Sequence, residues 1–204
     1  RLFARRIAAL VETATAEKNR LVAAKATGET PRLVLCDIER GIQQLASRIA
    51  ELEAAALELI NSAPDLKRLM DCATSIKGIA KRSAIRLLGE LLVLPADMSP
   101  REIVAHAGLD PRPRQSGAKD AKRQISRLGN ARLRSAIFHP AMVAARYEPA
   151  VREVYERLVG RNKLKMVATV AIMRRLLVAL WVMILREQPF DPAKFGPKAV
   201  LATE

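Results

Sequence analysis

The sequence is poor in the residues that build disulfide-rich and zinc-binding domains. Only 3% of its 204 residues are aromatic, and its two cysteines, Cys36 and Cys72, stand alone without a CxxC pair or a histidine cluster. Isolated thiols exclude a disulfide framework and are typical of the reducing cytoplasm. Half of the residues are apolar, which is enough for one or two domains with a hydrophobic core. We therefore expect a globular protein with a cytoplasmic location.

Long hydrophobic runs are also missing. The most apolar run, residues 176–185, is ten residues long and follows Arg174 and Arg175. It is too short to cross a bilayer, and no signal peptide begins the sequence at Arg1. We expect no membrane segment, and we expect the chain to be a fragment of a longer protein.

Positive charge is what the sequence has in excess. Lys and Arg number 35 against 21 Asp and Glu, which gives a net charge of +14. Residues 1–70 contain 11 basic and 9 acidic side chains, whereas residues 71–204 contain 24 basic and 12 acidic ones. Such an imbalance indicates a polyanionic partner for the second part of the chain.

Residues 1–63 predict a coiled-coil helical hairpin. Apolar residues recur at alternating steps of three and four from Leu35 to Leu59, which is the seam of a left-handed coiled coil. Gly28 and Pro31 separate this helix from an earlier one with similar stepping. The seam either packs the two helices on each other or also joins subunits in a homo-oligomer, and the sequence leaves both interpretations open.

Residues 64–192 predict a compact helical domain, and residues 193–204 predict a tail. The expected helices cover residues 64–71, 81–92, 131–147, 149–159 and 163–186, with a short helix after Ser99 and Pro100. Pro140 is expected to kink or break its helix. A loop rich in helix-breaking residues is expected from Gly108 to Gly129. The predicted fold class is mainly all-α.

A glycine turn at residues 75–81 predicts a helix-hairpin-helix. In that arrangement, Gly78 brings backbone N–H groups at a helix N-terminus to a DNA phosphate, and Lys77 and Lys81 add positive charge. Ala80 stands where a second glycine is usual. The alternative is an ordinary turn between two helices that binds nothing.

Residues 110–134 are the most basic part of the chain, with eight basic residues against Asp110 and Asp120. Charge concentrated in a glycine-containing loop favours phosphate contact over a merely solvated surface. Ser116 lies in this loop, but a serine hydroxyl without a base or metal is a weak nucleophile, so the residues alone favour a turn role. The candidate nucleic-acid contacts here are Arg112, Arg114, Gln115, Gly117, Lys119, Lys122, Arg123, Ser126, Arg127, Asn130, Arg132 and Arg134.

Several segments, in their order and spacing, resemble the C-terminal domain of the insertion-sequence 110 family of transposases and of the related Piv-type DNA invertases. The resemblance covers about residues 70–192, with Ala80 and Arg127 as departures from the usual glycine and lysine. The matching segments are residues 75–80, 103–111, 115–117, 125–130, 132–134, 139–141, 155–158 and 163–166.

The resemblance implies a DNA recombinase in three parts: a RuvC-like domain whose DEDD carboxylates bind Mg²⁺, a coiled coil, and the C-terminal domain. The first part is missing from this sequence, so no cofactor is expected within it and the fragment is expected to be inactive alone. The resemblance also implies that Ser116 attacks a DNA phosphodiester and forms a transient phosphoserine link, with Ser126 as the second candidate nucleophile. The partners that it implies are DNA, a structured noncoding guide RNA and further copies of the chain.

A competing function belongs to another class. The helix-hairpin-helix turn, the basic loop and the coiled coil would also suit a non-enzymatic module that binds nucleic acid and forms oligomers. A helical scaffold that binds only an acidic protein is a third interpretation, and binding that ignores nucleic acid and salt would favour it.

Overall fold

The computed structural model describes residues 1–116, 119–161 and 163–195, and within it residues 113–116 and 119–123 are described by their backbone alone. The chain divides into two compact units, Arg1–Pro64 and Asp65–Glu204. Eight α-helices account for most of the described residues. The prediction of a mainly all-α fold is confirmed.

The first unit is a hairpin of two long helices, α1 (Leu2–Thr27) and α2 (Arg32–Ser62). Gly28 ends α1 in the left-handed conformation at φ 71°, and the Thr30 hydroxyl donates to the Ala24 carbonyl at 2.7 Å across the turn. The buried side chains follow the predicted seam. They are Ala4, Ile7, Leu10 and Ala14 on α1 and Ile38, Ile49 and Ala56 on α2.

The seam is therefore used, at least in part, to pack the two helices on each other. At its end, Leu59 is 54% exposed. α2 has 31 residues and α1 has 26, so the last turn of α2 extends past the start of its partner. Subunit association through this seam stays a prediction.

The second unit contains six helices and one β-hairpin. The helices are α3 (Pro64–Thr74), α4 (Lys81–Leu91), α5 (Pro100–His106), α6 (Ala131–Tyr147), α7 (Pro149–Gly160) and α8 (Lys165–Arg186). Ser99 begins α5 with a capping box: its hydroxyl accepts from the Glu102 N–H while the Glu102 carboxylate accepts from the Ser99 N–H. The helix α6 runs through Pro140 without a break.

The helix α8 forms the core of this unit. Ten of its residues are buried, among them Leu176, Leu177 and Leu180, and α5, α6 and α7 pack around it. The Trp181 indole N–H donates to the Met98 carbonyl at 3.0 Å, which fixes the loop before α5. The apolar stretch is longer than the ten-residue run that the sequence suggested. By length and composition alone α8 is a candidate membrane span, but 56% of its most apolar window is buried in the unit, as in the core helix of a soluble protein.

The segment predicted as a loop from Gly108 to Gly129 is instead built around a β-hairpin, so that prediction was wrong. Strands β1 (Pro111–Ser116) and β2 (Lys119–Ile125) pair antiparallel. Arg112 pairs with Gln124 and Arg114 with Ala121, so the ladder is irregular at Pro113. A proline lacks an N–H donor and is tolerated at such a bulge. The sequence does not predict these strands, because they contain charged residues and prolines in place of the alternating apolar residues that indicate a strand.

The start of the predicted tail, residues 193–195, belongs to an ordered turn. Pro192–Phe195 form a 3₁₀ turn, and the Phe195 ring is buried, with an edge-to-face contact to Phe190 at 5.6 Å between centroids. Residues 193–195 of the predicted tail therefore pack on the unit. Residues 196–204 lie outside the described residues.

Gly78 brings the turn between α3 and α4 into direct contact with α6. Its φ is 122°, and an added Cβ would lie 2.7 Å from the Ala144 nitrogen and 2.9 Å from the Pro140 oxygen. Both neighbours are backbone atoms of a helix, which do not give way as a flexible side chain would. Only glycine allows this backbone-to-backbone approach.

Replacing Gly78 with alanine is therefore expected to lower the free energy of unfolding by about 2–4 kcal/mol, through backbone strain and overpacking. Gly160→Ala is the matched control, since an added Cβ there meets no atom within 4 Å. Its expected effect is within about 1 kcal/mol, and alanine favours the helix. Urea denaturation of both variants measures the difference. Equal stabilities would mean that the turn does not pack on α6 in solution.

Candidate nucleic-acid interface

The predicted helix-hairpin-helix turn is anchored in the hydrophobic core on one side and exposed on the other. Ile76 and Ile79 are 1% and 2% exposed and anchor the turn in the core, whereas Lys77, Ala80 and Lys81 are exposed. The N-terminus of α4, with Ala80 as N-cap, has no side-chain hydrogen bond to its first N–H groups. The positive end of the helix dipole lies at this N-terminus, and it suits a phosphate.

Ala80 does not disturb this turn. Its backbone is extended, with φ −77° and ψ 166°, and its carbonyl accepts from the Ala84 N–H at 2.9 Å. A second glycine is not required by that conformation, because any residue adopts it. The positive φ is confined to Gly78, where the sequence does have glycine.

The basic hairpin, residues 111–125, carries the largest group of predicted contacts. Its ladder ends with Gln115 paired to Asp120 and Ser116 paired to Lys119. Ser116 is thus the last residue of β1, next to the connection between the strands. The side chains of Arg114, Gln115, Ser116, Lys119, Lys122 and Arg123, and the whole of Gly117, lie outside the described residues.

The base of the hairpin is a close contact between two glycine segments. An added Cβ at Gly129 would lie 2.4 Å from the Gly108 nitrogen, and one at Gly108 would lie 2.7 Å from the Gly129 nitrogen. Gly108 has φ 64°, and Arg127 also adopts a left-handed conformation at φ 55°, which is uncommon for a residue with a side chain. The Arg127 N–H donates to the Gly108 carbonyl at 3.1 Å, which helps to hold that conformation. The two ends of the hairpin are therefore fixed to each other.

Ser126, the second candidate nucleophile, has a partner at this base. Its hydroxyl donates to the Asp110 carboxylate, and its N–H donates to the Asp110 carbonyl at 2.9 Å. Arg112 approaches the same carboxylate at 3.9 Å. Burial lowers the pKa of the Arg174 guanidinium, and the charge of Asp110 opposes that shift. In this arrangement the Ser126 hydroxyl joins the two ends of the hairpin.

Asn130 links the hairpin base to two helices. Its side-chain oxygen accepts from the N–H groups of Arg132 and Leu133 at 3.0 and 3.2 Å, which caps α6. Its amide nitrogen donates to Glu90 of α4 at 3.0 Å, and Glu90 is 3% exposed. Among the predicted contacts, Asn130 therefore has a structural role, which an N-cap position next to Gly129 indicates in the sequence. Glu90 and Arg174 were missed, because nothing near them in the sequence signals their partners.

The two remaining arginines of the segment differ in exposure. Arg134 is half-buried and donates to the Ala107 carbonyl at 2.9 Å. Arg132 is exposed in the first turn of α6. Arg127, five residues earlier in the chain and before the helix begins, is also exposed. Arg127 and Arg132 therefore remain accessible to a ligand, whereas Arg134 braces the hairpin base.

The described part of the chain offers no site for a metal ion built from its own residues. No three His, Cys, Asp or Glu side chains come together there in a group suited to a metal ion. Asp110, the acid at the hairpin base, has Ser126 and Arg112 as its neighbours, and a nearby arginine does not favour a cation. No chemical step is therefore assigned to a metal held by this chain.

Comparison with known proteins defines the class of the second unit as a transposase domain. Residues 70–156 match the transposase IS116/IS110/IS902 family. This range starts in α3 and ends in α7, so it contains the glycine turn, the basic hairpin and the hairpin base. These residues therefore match an IS110-family transposase domain.

The chain is also similar to three curated proteins. It is 33% identical over 153 residues to the pilin gene-inverting protein of Moraxella bovis and 34% identical over 157 residues to that of Moraxella lacunata, covering 74% of this chain and 47% of each relative. A putative transposase, y4rJ, of Sinorhizobium fredii (strain NBRC 101917 / NGR234) is 30% identical over 167 residues, covering 74% of this chain and 42% of the relative. The chain thus spans about half the length of the curated relatives that it matches.

Asn130→Ala removes both cap hydrogen bonds and one partner of a buried carboxylate, so we expect it to lower the free energy of unfolding by about 1–3 kcal/mol. Asn130→Ser keeps an acceptor at the N-cap but not the contact to Glu90, and its expected loss is smaller. Thermal or urea unfolding of the two variants separates the contributions. A wild-type stability for Asn130→Ala would show that the hairpin base does not depend on this residue.

Proposed function

We propose that this chain is the C-terminal part of a transposase that cuts and exchanges DNA strands with Ser116 as its nucleophile. The observation that carries the proposal is the family match over residues 70–156, which includes the hairpin strand that ends at Ser116. The hairpin and the residues that follow it are also the most basic part of the chain. A phosphodiester is the substrate that suits both features.

The proposed step is a transfer of the DNA phosphoryl group to serine. The Ser116 Oγ–H loses its proton, the Oγ–P bond forms, and the bond from phosphorus to the leaving DNA oxygen breaks, with that oxygen taking up a proton. Reversal onto a different strand end completes the exchange. The developing negative charge is stabilised by cations near the scissile phosphate, for which the candidates are Lys119, Lys122, Arg123 and Arg127. Arg134, which the sequence also suggested, is held by the Ala107 carbonyl.

A second set of contacts holds the nucleic acid away from the nucleophile. The N-terminus of α4 with Lys77 and Lys81 is suited to a backbone phosphate and reads no base sequence. Gly78, in the turn before α4, approaches α6 at Pro140 and Ala144, 10 to 14 residues after the N-cap Asn130. That is about 15–21 Å along the helix, so the turn and the hairpin base require a nucleic acid several nucleotides long.

Other parts of the proposal lie outside this chain. They are a Mg²⁺-binding carboxylate domain preceding it, a structured guide RNA, and further copies of the chain associated through α1 and α2. A cytoplasmic location is included, because the DNA substrate of such an enzyme is there. The alternative function is a non-enzymatic module that binds nucleic acid and forms oligomers.

The nucleophile is tested by trapping. The full-length protein that contains this chain is mixed with guide RNA, Mg²⁺ and labelled target DNA, and denaturant-resistant protein–DNA adducts are measured. The expected result is an adduct with the wild type and none with Ser116→Ala, because alanine has no hydroxyl to form the phosphoserine.

Ser126→Ala is the companion variant, and it is expected to keep the adduct. If the adduct persists in Ser116→Ala and disappears in Ser126→Ala, the nucleophile is Ser126. Tight binding with no adduct from either protein would favour the non-enzymatic module.

The basic hairpin is tested by the salt dependence of binding. Lys122→Ala combined with Arg123→Ala is expected to weaken DNA binding and to reduce the slope of log K against log salt by about 1.4–1.8, since each lost phosphate contact removes about 0.7–0.9. Lys18→Ala with Arg48→Ala removes the same charge from exposed positions of the first unit. An unchanged slope in the hairpin variant would assign the phosphate contacts to another surface.

A further inference from the structure

Tyr147, at the C-terminal end of α6, presents an exposed ring. It is one of only two tyrosines in a chain with 3% aromatic residues, and it is 58% exposed. The Arg146 guanidinium carbon lies 5.4 Å from the ring centroid, a cation–π contact. An exposed aromatic ring with a cation beside it is an arrangement that proteins use to stack nucleic-acid bases.

The ring lies next to the glycine turn. Pro140, Ala144 and Tyr147 are spaced by four and three residues, so they share one side of α6. Gly78 approaches the first two of them, with an added Cβ 2.9 Å from the Pro140 oxygen and 2.7 Å from the Ala144 nitrogen. Tyr147 is the next position on that side, about 4.5 Å further along the helix axis. Tyr147 therefore lies about one helical turn beyond the place where Gly78 approaches α6.

The charges around this surface favour a polyanion. Within the described residues, Lys77, Lys81 and Arg146 form no ion pair. The helix α6 contains no Asp or Glu, and Glu148 just after it is buried at 6% exposure. Val143, four residues before Tyr147 on the same helix, is 41% exposed and extends the apolar surface. A cationic surface with one stacking ring matches a phosphate chain whose base is unpaired.

We propose that Tyr147 stacks on an unpaired base of a nucleic acid whose phosphates contact the turn at residues 77–81. The proposal rests on the nucleic-acid binding proposed above and adds a preference for a single-stranded segment. The bases of an intact duplex are stacked on each other, so a ring on the protein surface gains little from them. DNA and RNA share the chemistry that this ring recognises.

Binding of the 204-residue chain to three probes of equal length tests the proposal: single-stranded DNA, unstructured RNA and duplex DNA. Tyr147→Ala is expected to weaken binding to at least one single-stranded probe by roughly 5- to 100-fold, the range for loss of one stacked base. Its expected effect on duplex DNA is less than about twofold. Tyr147→Phe keeps the ring and is expected to bind like the wild type. Tyr155→Ala on α7 is the matched control for loss of a tyrosine.

A spectroscopic signature accompanies the affinities. The chain has one tryptophan, Trp181, which is 2% exposed, so Tyr147→Trp adds a second and exposed indole. Stacking of a base on that indole is expected to quench its fluorescence with the single-stranded probe and not with the duplex. The comparison of DNA with RNA identifies which of the two supplies the base.

Three outcomes would overturn the proposal. Equal weakening of single-stranded and duplex binding by Tyr147→Ala would assign the residue a general structural role. Normal binding by Tyr147→Ala, while the Lys122 and Arg123 variant binds poorly, would leave nucleic-acid binding intact without a stacking contact. A lower oligomer mass for Tyr147→Ala with unchanged nucleic-acid binding would assign the surface to a second copy of the chain. If the wild type bound none of the probes, the proposed function itself would fail.

Discussion

Close packing against α6 is the constraint on which the second unit depends. At its N-terminus, Asn130 caps the helix and bonds to the buried Glu90 of α4. In its middle, Gly78 allows the backbone of the turn to touch the backbone of the helix. Its buried face packs on α4, α7 and α8. Because one rigid helix makes all these contacts, the hairpin base and the glycine turn have a fixed separation, which a nucleic acid spanning both must match.

Three glycines of this unit are needed for close contact between backbone segments. Gly78, Gly108 and Gly129 each stand where a Cβ would meet backbone atoms at less than 3 Å, so their presence is explained without a ligand. What points to a ligand is the polar groups left beside them: the first N–H groups of α4, the exposed Lys77 and Lys81, and Arg127 and Arg132 near the hairpin base. Tight packing and phosphate binding are thus compatible, since Gly78 packs on α6 while Lys77 and Lys81 stay exposed.

The hairpin explains how a strongly basic segment is displayed without a core of its own. Antiparallel pairing joins its two strands by backbone hydrogen bonds, and the bulge near Pro113 accommodates a residue without an N–H. Its two ends are joined by Ser126 and Asp110 and by the glycine contact at Gly108 and Gly129. A hairpin whose ends are fixed in this way can carry many like charges. The charges repel each other less on an extended ribbon in water than inside a compact unit.

The sequence by itself determined the helices, the division of charge between the two parts of the chain, and the family of residues 70–156, because periodicity, composition and ordered motifs are local properties. It also indicated the turn at Gly78 and the cap at Asn130, where one residue type is needed. Only the tertiary structure decided that residues 111–125 pair as strands, since their pairing depends on the partner strand and not on an apolar pattern. It alone brought Glu90 to Asn130, Asp110 to Ser126 and Ala144 to Gly78, because these contacts join residues from 16 to 66 positions apart in the chain.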